Sequence, residues 1–293
     1  MKNATTPTTI SPTQKWRQLL MQTWSAANTP NVWAHCASVG FFGFLSIFPI
    51  MAVFVLIYNL VFSPAEMQAQ IAMLEPFIPP SVYDLIYERL DSLTQNTTTR
   101  LSFGLLFSTV LALYSGSRGI KNLVILINLA FHITERRSFI VSIIRAILLT
   151  VAALILFIVA LSTIAAIPLL AQFFSFGQPF ETIVLWSRWP ILAIIIFLSF
   201  LGLYRFAPNR GAVPIKRLIP GAALATVLWI LLSGIFSIYV QNFNNYSATF
   251  GALSAAVVIM LWLYYSAFII ALGAMFNYEM TTRRASDAIR VYS

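Results

Sequence analysis

Five polar side chains gather on one side of the segment 118–132, and their types suit the binding of a negatively charged group. When the segment is wound as an α-helix, at 100° per residue, they share an arc of about 120°, and the opposite side is apolar. They are Arg118, Lys121, Asn122, Asn128 and His132. Two arrangements explain the pattern equally well: the helix lies along a polar surface, or it dips inward and its polar stripe lines a water-filled cavity.

These five residues, together with Pro49, form our predicted substrate path. Pro49 stands within the apolar stretch GFLSIFPIMA, where a proline removes a backbone hydrogen bond and favours a kink in the helix. A kinked helix exposes backbone carbonyl groups, which a polar substrate can use.

Residues that would support catalysis are scarce elsewhere in the chain. The sequence has no phosphate-binding glycine-rich loop and no nucleophile elbow. Its two histidines, His35 and His132, stand apart, so no histidine-rich metal site is expected. The single cysteine, Cys36, is best explained as a small buried apolar residue. We therefore expect no catalytic residues, no metal and no cofactor, and a protein that is not an enzyme.

The elements that hold these residues must be membrane helices. Of 293 residues, 59% are hydrophobic and 9% are charged, and the mean hydropathy is +0.83, which is more apolar surface than one soluble core can bury. The fold class expected is all-α: a polytopic membrane bundle of six transmembrane helices with additional amphipathic interfacial helices. Apolar runs place the six crossings near 34–62, 101–117, 140–171, 189–206, 218–240 and 250–277.

The second crossing is the weakest of the six. The run 101–117 is barely long enough to span a hydrocarbon core of about 30 Å. It therefore forms a tilted span, a re-entrant helix, or a span that continues into the stripe at 118–132. The sequence leaves these alternatives open.

Charge orients the predicted bundle. Fifteen of the 18 basic residues fall in segments that alternate to one side, where the net charge is +12, and the other side carries −3. Lys and Arg near short loops are retained in the cytoplasm, so we expect a bacterial inner-membrane protein with both termini cytoplasmic. The same basic loops can bind anionic lipid head groups, and no nucleic-acid partner is needed to explain them.

Besides the stripe at 118–132, which is an amphipathic stretch on the cytoplasmic side, three further segments outside the crossings are assigned. Residues 1–33 are predicted to be a cytoplasmic amphipathic segment, with a tryptophan-bearing interfacial helix at 11–33, and 281–293 a cytoplasmic tail. They flank a membrane domain at 34–280. Within that domain, 63–100 is the outer connection, and its second half has the apolar periodicity of an amphipathic helix.

Four stretches resemble the YihY/BrkB family of membrane proteins, formerly mislabelled as ribonuclease BN. They are GFLSIFPIMA, LYSGSRGIKNLVILINLAFHITERRSF, YRFAPNR and FGALSAAVVIMLWLYYSAFIIALGAMFNYEM. The chain departs from the family pattern at Phe250, where members often have Tyr, and at Met275, where they often have an acidic residue; Glu279 matches the later acid. The resemblance implies a six-span inner-membrane protein without an established reaction, with links to envelope lipid or lipopolysaccharide export in some relatives.

These observations favour a transporter or flippase-like protein for an amphiphilic or anionic envelope molecule. The alternative is a non-transporting scaffold of envelope proteins; ribonuclease activity is not expected. The sequence leaves open the substrate, the energy coupling and whether the chain forms a homo-oligomer.

Overall fold

The computed structural model describes residues 12–61, 100–134, 138–173, 178–211, 213–242 and 252–292. Within these ranges the chain forms seven α-helices and one short 3₁₀ helix, Ile215–Arg217, and no β-strand. The α-helices are α1 Pro12–Ala27, α2 Pro30–Val61, α3 Arg100–Ala130, α4 Phe139–Phe173, α5 Gln178–Phe206, α6 Ile219–Asn242 and α7 Ala252–Tyr292. The expected all-α class is confirmed in this part of the chain.

Four of the helices are long and apolar enough to cross a bilayer. These stretches are Ile140–Ile164 of α4, Trp186–Phe206 of α5, Ile219–Val240 of α6 and Ala256–Arg283 of α7. They coincide with the last four predicted crossings. The first two crossings, 34–62 and 101–117, lie on helices α2 and α3 but remain predictions as spans.

Most exposed side chains of α4 are apolar, which suits a helix surrounded by lipid. Ile155, Phe157, Ile158 and Val159 are each about half exposed or more. A continuous apolar face of this length would be unfavourable in water, and in lipid it costs nothing. The exposed face therefore fits a helix surrounded by hydrocarbon.

Two helices differ in extent from the sequence prediction. Helix α3 runs without interruption from Arg100 to Ala130, so the weak second crossing and most of the polar stripe belong to one helix of 31 residues. Helix α7 continues past 277 to Tyr292, so the predicted tail at 281–293 is helical through Tyr292. The amphipathic segment expected within 63–100 lies outside the described residues.

The chain divides into two compact units. One comprises residues 42–118, and the other comprises 1–41 together with 119–293. In the second of these, α4 packs beside α5, α5 beside α6, and α6 and α1 beside α7. Of the 21 described residues in its buried core, eight are alanine, and such small side chains allow helix backbones to approach closely in a membrane.

The closest approach joins α6 to α7 at two glycines. A Cβ atom on Gly221 would overlap the carbonyl oxygen of Gly273, and a Cβ on Gly273 would stand 2.6 Å from the carbonyl oxygen of Gly221. Side chains longer than hydrogen are therefore excluded at both positions. Farther along the pair, the Trp229 indole donates to Ser266 Oγ at 3.0 Å, which adds a polar bond between the same two helices.

Helix α1 lies against α7 with only part of its apolar side. Leu19, Thr23 and Ala27 are buried, whereas Trp16 and Leu20 are more than half exposed. The Arg283 guanidinium of α7 donates to the carbonyl oxygen of Lys15 at 2.8 Å and to the side chain of Gln22. The contact fixes α1 beside the last helix and leaves an apolar strip of α1 uncovered.

Candidate functional site

Four elements of the larger unit meet where α3 and α5 end and α6 begins. We call this region the junction; it comprises the end of α3 (128–133), Tyr204 and Arg205 of α5, the connection 207–218 with the start of α6, and residues 270–278 of α7. Polar bonds join all four elements. Most of these bonds involve a backbone group at or near a helix end, where intrahelical partners are lacking. The exception is the Tyr204 bond to Ile270 O, within α7.

The end of α3 is closed by a turn centred on His132. The backbone N–H of His132 donates to Leu129 O at 3.0 Å, and the N–H of Ile133 donates to Asn128 O at 2.8 Å. This is the hydrogen-bond pattern of a Schellman motif, whose central residue takes a left-handed conformation that favours glycine. His132 occupies it with φ of 54°. A histidine there costs about 1 kcal/mol relative to glycine.

The His132 ring is placed by that strained backbone. It lies over the ring of Tyr278 on α7, with centroids 4.5 Å apart, and remains exposed on its other side. Backbone strain of this kind is retained where the surrounding structure or the function requires a particular side chain. His132 is thus an accessible imidazole held at a fixed position in the junction.

Asn128 has a structural contact in addition to its place on the polar stripe. Its side chain is buried, and Oδ1 accepts a hydrogen bond from the backbone N–H of Asn209 at 2.9 Å. The bond ties the end of α3 to the connection between α5 and α6. Asn128 therefore orients that connection, whatever else it binds.

Asn277 performs a similar task at the start of α6. Its Oδ1 accepts from the Gly221 N–H at 2.7 Å, and its Nδ2 donates to Leu218 O at 3.0 Å. The side chain is almost completely buried. Asn277 is therefore an N-cap supplied by a neighbouring helix, because Gly221 lies in the first turn of α6 and its N–H has no intrahelical acceptor.

Tyr204 connects α5 to α7 at the base of the junction. Its hydroxyl donates to the carbonyl oxygen of Ile270 at 2.7 Å, and its ring meets the Phe131 ring edge to face at 6.3 Å. Tyr204 is fully buried. The Phe131 ring also contacts a cation.

That cation is Arg210, in the connection after α5. Its Cζ atom lies 3.7 Å from the centre of the Phe131 ring, a close cation–π contact, and Nη2 donates to Tyr204 O at 3.3 Å. Arg205 lies near enough to repel it, and donates to Val213 O from Nη1. Burial, and to a lesser degree the charge of Arg205, lowers the pKa of the Arg210 guanidinium to about 10. Two like charges are held together at a partly desolvated position.

The predicted path residues are distributed between the two units. Asn128 and His132 lie in the junction, and Lys121 and Asn122 are half-buried farther along α3 in the same unit. Arg118 belongs to the smaller unit, where its guanidinium donates to Tyr114 Oη at 3.0 Å and lies over the Tyr114 ring. Pro49 is in the smaller unit also, within α2, and its side chain is outside the described set. The role of these six residues in a path remains a prediction.

Sequence reasoning did not single out Asn277, Tyr204, Asn209 or Arg210 as site residues. The only sequence signal for Asn277 was that it is an amide in the apolar run before Glu279. The other three belong to the motif YRFAPNR, which contributed to the family resemblance but indicated no structural role. Among the described residues, no group of three or more His, Cys, Asp or Glu side chains is arranged to hold a metal ion. What the junction offers chemically is cationic and hydrogen-bonding groups.

Apolar helices of spanning length, joined at one end by buried polar bonds, define a polytopic α-helical membrane protein. The chain matches the family described as Virulence factor BrkB over residues 23–290. It belongs to that family, and the resemblance seen in the four sequence stretches is confirmed.

Several relatives are similar along most of the chain. A putative ribonuclease-like protein, YfkH, of Bacillus subtilis is 32% identical over 257 residues, which are 85% of this chain and 90% of the relative. A UPF0761 membrane protein of Psychromonas ingrahamii is 27% identical over 88% of this chain and 85% of its own. A UPF0761 membrane protein of Acinetobacter baylyi is 26% identical over 84% of this chain, which spans only 58% of that protein. No solved structure matches the chain.

Proposed function

We propose that this protein is a transporter or flippase-like protein that moves an amphiphilic or anionic envelope molecule across a bacterial inner membrane. The supporting observation is the position of Lys121. It is half-buried, nine residues before the end of α3, which is about 14 Å along the helix axis from Ala130. The proposal takes α3, from Arg100 to Ala130, as the second crossing, which would place Lys121 within the bilayer. An ionisable side chain at that depth is costly and usually marks a substrate or ion pathway.

The Lys121 side of α3 leads to the junction. Lys121 and Asn128 are seven residues apart, so they lie within about 20° of each other around the helix. Asn128 contacts the connection that carries Arg210, and His132 stands one turn farther on. An anionic head group could thus meet the guanidinium groups at the end of the bundle and then the ammonium group of Lys121.

The proposal includes the topology inferred from charge. Six crossings with both termini in the cytoplasm place the junction on the cytoplasmic side, together with Arg205, Arg210, Lys216 and Arg217. Helix α1 then lies in the cytoplasmic interface, with Trp16 and Leu20 facing the acyl chains at the boundary with the head groups.

A reconstituted assay tests the proposal. Purified full-length protein in proteoliposomes should move fluorescent anionic phospholipid between leaflets faster than empty liposomes do. Lys121→Ala should lower the rate at least tenfold if it removes one charge-assisted contact of about 1.5–3 kcal/mol, and Lys121→Arg should retain most of it. Arg118→Ala tests the other end of the predicted stripe. Absence of movement by the intact protein across anionic, zwitterionic and glycolipid probes would refute transport.

The scaffold alternative has an observation of its own. The contact between Gly221 and Gly273, with the Asn277 bonds beside it, leaves no space between α6 and α7 at the junction. A bundle packed in this way throughout would suit a rigid platform for envelope proteins better than a carrier. Crosslinking that recovers the same partner protein from cells, with no lipid movement in liposomes, would favour the scaffold.

The ribonuclease-like name of the Bacillus relative supplies a third hypothesis to exclude. It predicts RNA cleavage by the pure protein that a chelator abolishes. We expect no cleavage, because His132 is the one imidazole of the junction and no group of three metal-ligating side chains is found among the described residues.

A further inference from the structure

Arg205 and Arg210 present an unusual electrostatic arrangement in the junction. Both guanidinium groups are half-buried, and the Arg210 side chain folds back to the carbonyl oxygen of Tyr204, the residue next to Arg205. Each donates one hydrogen bond to a backbone carbonyl, Arg205 to Val213 and Arg210 to Tyr204. A guanidinium has five N–H donors, so these bonds use a small part of the pair's capacity.

A counter-charge for the pair is missing from the described part of the chain. Glu279 is the only acid whose side chain is among those described, and it forms no ion pair with Arg205 or Arg210. The sequence has no Asp or Glu between Glu181 and Glu279. The same connection adds two exposed cations, Lys216 and Arg217. Like charges that are partly desolvated and held together are unfavourable unless an anion joins them.

The contacts around Arg210 orient it for such an anion. Its Cζ atom lies 3.7 Å from the centre of the Phe131 ring, and Nη2 donates to Tyr204 O, so two contacts hold the guanidinium in place. The Asn128 bond to Asn209 fixes the backbone next to it. The guanidinium is thus pre-organised by four residues from three elements, which lowers the entropy cost of binding.

We infer that Arg205 and Arg210 form a binding site for a phosphate group, with one guanidinium on each side of it. Paired guanidinium groups match phosphate oxygens in geometry and form short, charge-assisted hydrogen bonds. The phosphate can belong to an anionic lipid head group or to a small soluble phosphorylated molecule. The inference goes beyond the proposed function, because the site would bind phosphate whether or not the protein moves its ligand.

Native mass spectrometry of the full chain in detergent tests the site directly. With phosphatidylglycerol added, the intact protein should retain at least one lipid that phosphatidylcholine does not replace at the same concentration. Arg205→Gln and Arg210→Gln should each weaken phosphatidylglycerol binding about tenfold, the loss expected for one charge-assisted hydrogen bond. Inorganic phosphate is added as a competitor: displacement of the lipid indicates that soluble phosphates also bind, and no displacement indicates a lipid head-group site.

Lys216→Gln is the matched control, since it removes the same charge from an exposed position of the same connection. It should change binding by less than about threefold, as expected for a solvated charge. If Lys216→Gln weakens binding as much as Arg205→Gln does, the attraction is a diffuse surface effect and the site is refuted. If the intact protein binds phosphatidylglycerol and phosphatidylcholine equally and ignores phosphate, the site is refuted as well.

Two further variants keep the test sharp. Arg210 also holds Tyr204 O, so Arg210→Gln could unfold; Arg205→Gln carries the test in that case, with circular dichroism to show that it is folded. Glu135, the nearest acid in the sequence to Phe131, lies outside the described residues. If Glu135 neutralised the arginine pair, the intact protein would not bind phosphate and Glu135→Gln would; that result would overturn the inference. Because binding is measured without transport, failure of the lipid-movement assay leaves this result standing.

Discussion

Asn277 on α7 caps the first turn of α6 from across the helix interface: its Oδ1 accepts from Gly221 N–H at 2.7 Å and its Nδ2 donates to Leu218 O at 3.0 Å. One buried amide therefore satisfies both a donor and an acceptor of the neighbouring helix. Within a membrane bundle, where no water can replace the partners, such a bond fixes which turn of α7 faces the start of α6.

Asn277→Leu should destabilise the protein. The substitution keeps the side-chain size but leaves the Gly221 N–H buried without an acceptor, at a cost of about 1–3 kcal/mol. The measurement is the thermal unfolding temperature of the purified protein in detergent. Thr282→Val on the same helix is the control, because the Thr282 hydroxyl bonds only within α7, to Tyr278 O, and is exposed. Equal melting temperatures for Asn277→Leu and Thr282→Val would show that the cap is unimportant.

The glycine contact between α6 and α7 gives a second prediction. Gly221→Ala and Gly273→Ala should each lower the unfolding temperature strongly, since the added methyl group overlaps backbone or side-chain atoms of the facing helix and overpacking costs about 1–3 kcal/mol or more. Gly234→Ala in α6 and Gly202→Ala in α5 are matched controls, because an added Cβ at either meets nothing within 4 Å. They should be neutral or stabilising by up to about 1 kcal/mol through helix propensity. Equal unfolding temperatures for all four variants would contradict the observed packing.

Two substitutions of His132 test its effect on stability separately from its role in function. His132→Gly relieves the left-handed backbone and should raise stability by roughly 0.5–1 kcal/mol, less whatever the contact with Tyr278 contributes. His132→Ala keeps the strained φ and loses the ring, so it should be less stable than His132→Gly. The two variants are compared by thermal unfolding and by lipid movement in liposomes. If His132 belongs to the substrate path, both lose activity although one is more stable; full activity in both would remove His132 from the path.

The sequence predicted the helices better than their contacts. Hydropathy located the last four candidate crossings because a span can be recognised from its own run of about 20 apolar residues, without knowledge of its neighbours. The continuity of α3 was left open, since Ser115, Gly116 and Gly119 weaken a helix by propensity and only packing decides whether it continues.

The junction was only partly predictable, because its bonds join residues far apart in the chain. Asn128 was identified on the polar stripe, but its partner Asn209 is 81 positions away and looks like an ordinary loop amide. Asn277 follows an apolar run, and no sequence pattern indicates that its partner is Gly221, 56 positions earlier. Arg210 was counted as a topology signal, and its place over Phe131 could be known only from the fold.

Helix α1 supplies the last prediction, which concerns the lipid interface. Leu20 and Gln18 are both exposed, but on a helix they lie about 160° apart, so only Leu20 belongs to the uncovered apolar strip beside α7. A polarity-sensitive fluorophore is attached through the single cysteine of Leu20→Cys or of Gln18→Cys, each in a Cys36→Ala background. In liposomes, emission from position 20 should be blue-shifted relative to position 18, because an interfacial helix buries its apolar strip among the acyl chains. When the protein is held in nanodiscs whose lipid area is too small to reach α1, in buffer without detergent, the difference in emission between positions 20 and 18 should be smaller. Identical emission at both positions in liposomes would mean that the exposed tryptophans and leucines of α1 face water or another protein, and the interfacial placement would be abandoned.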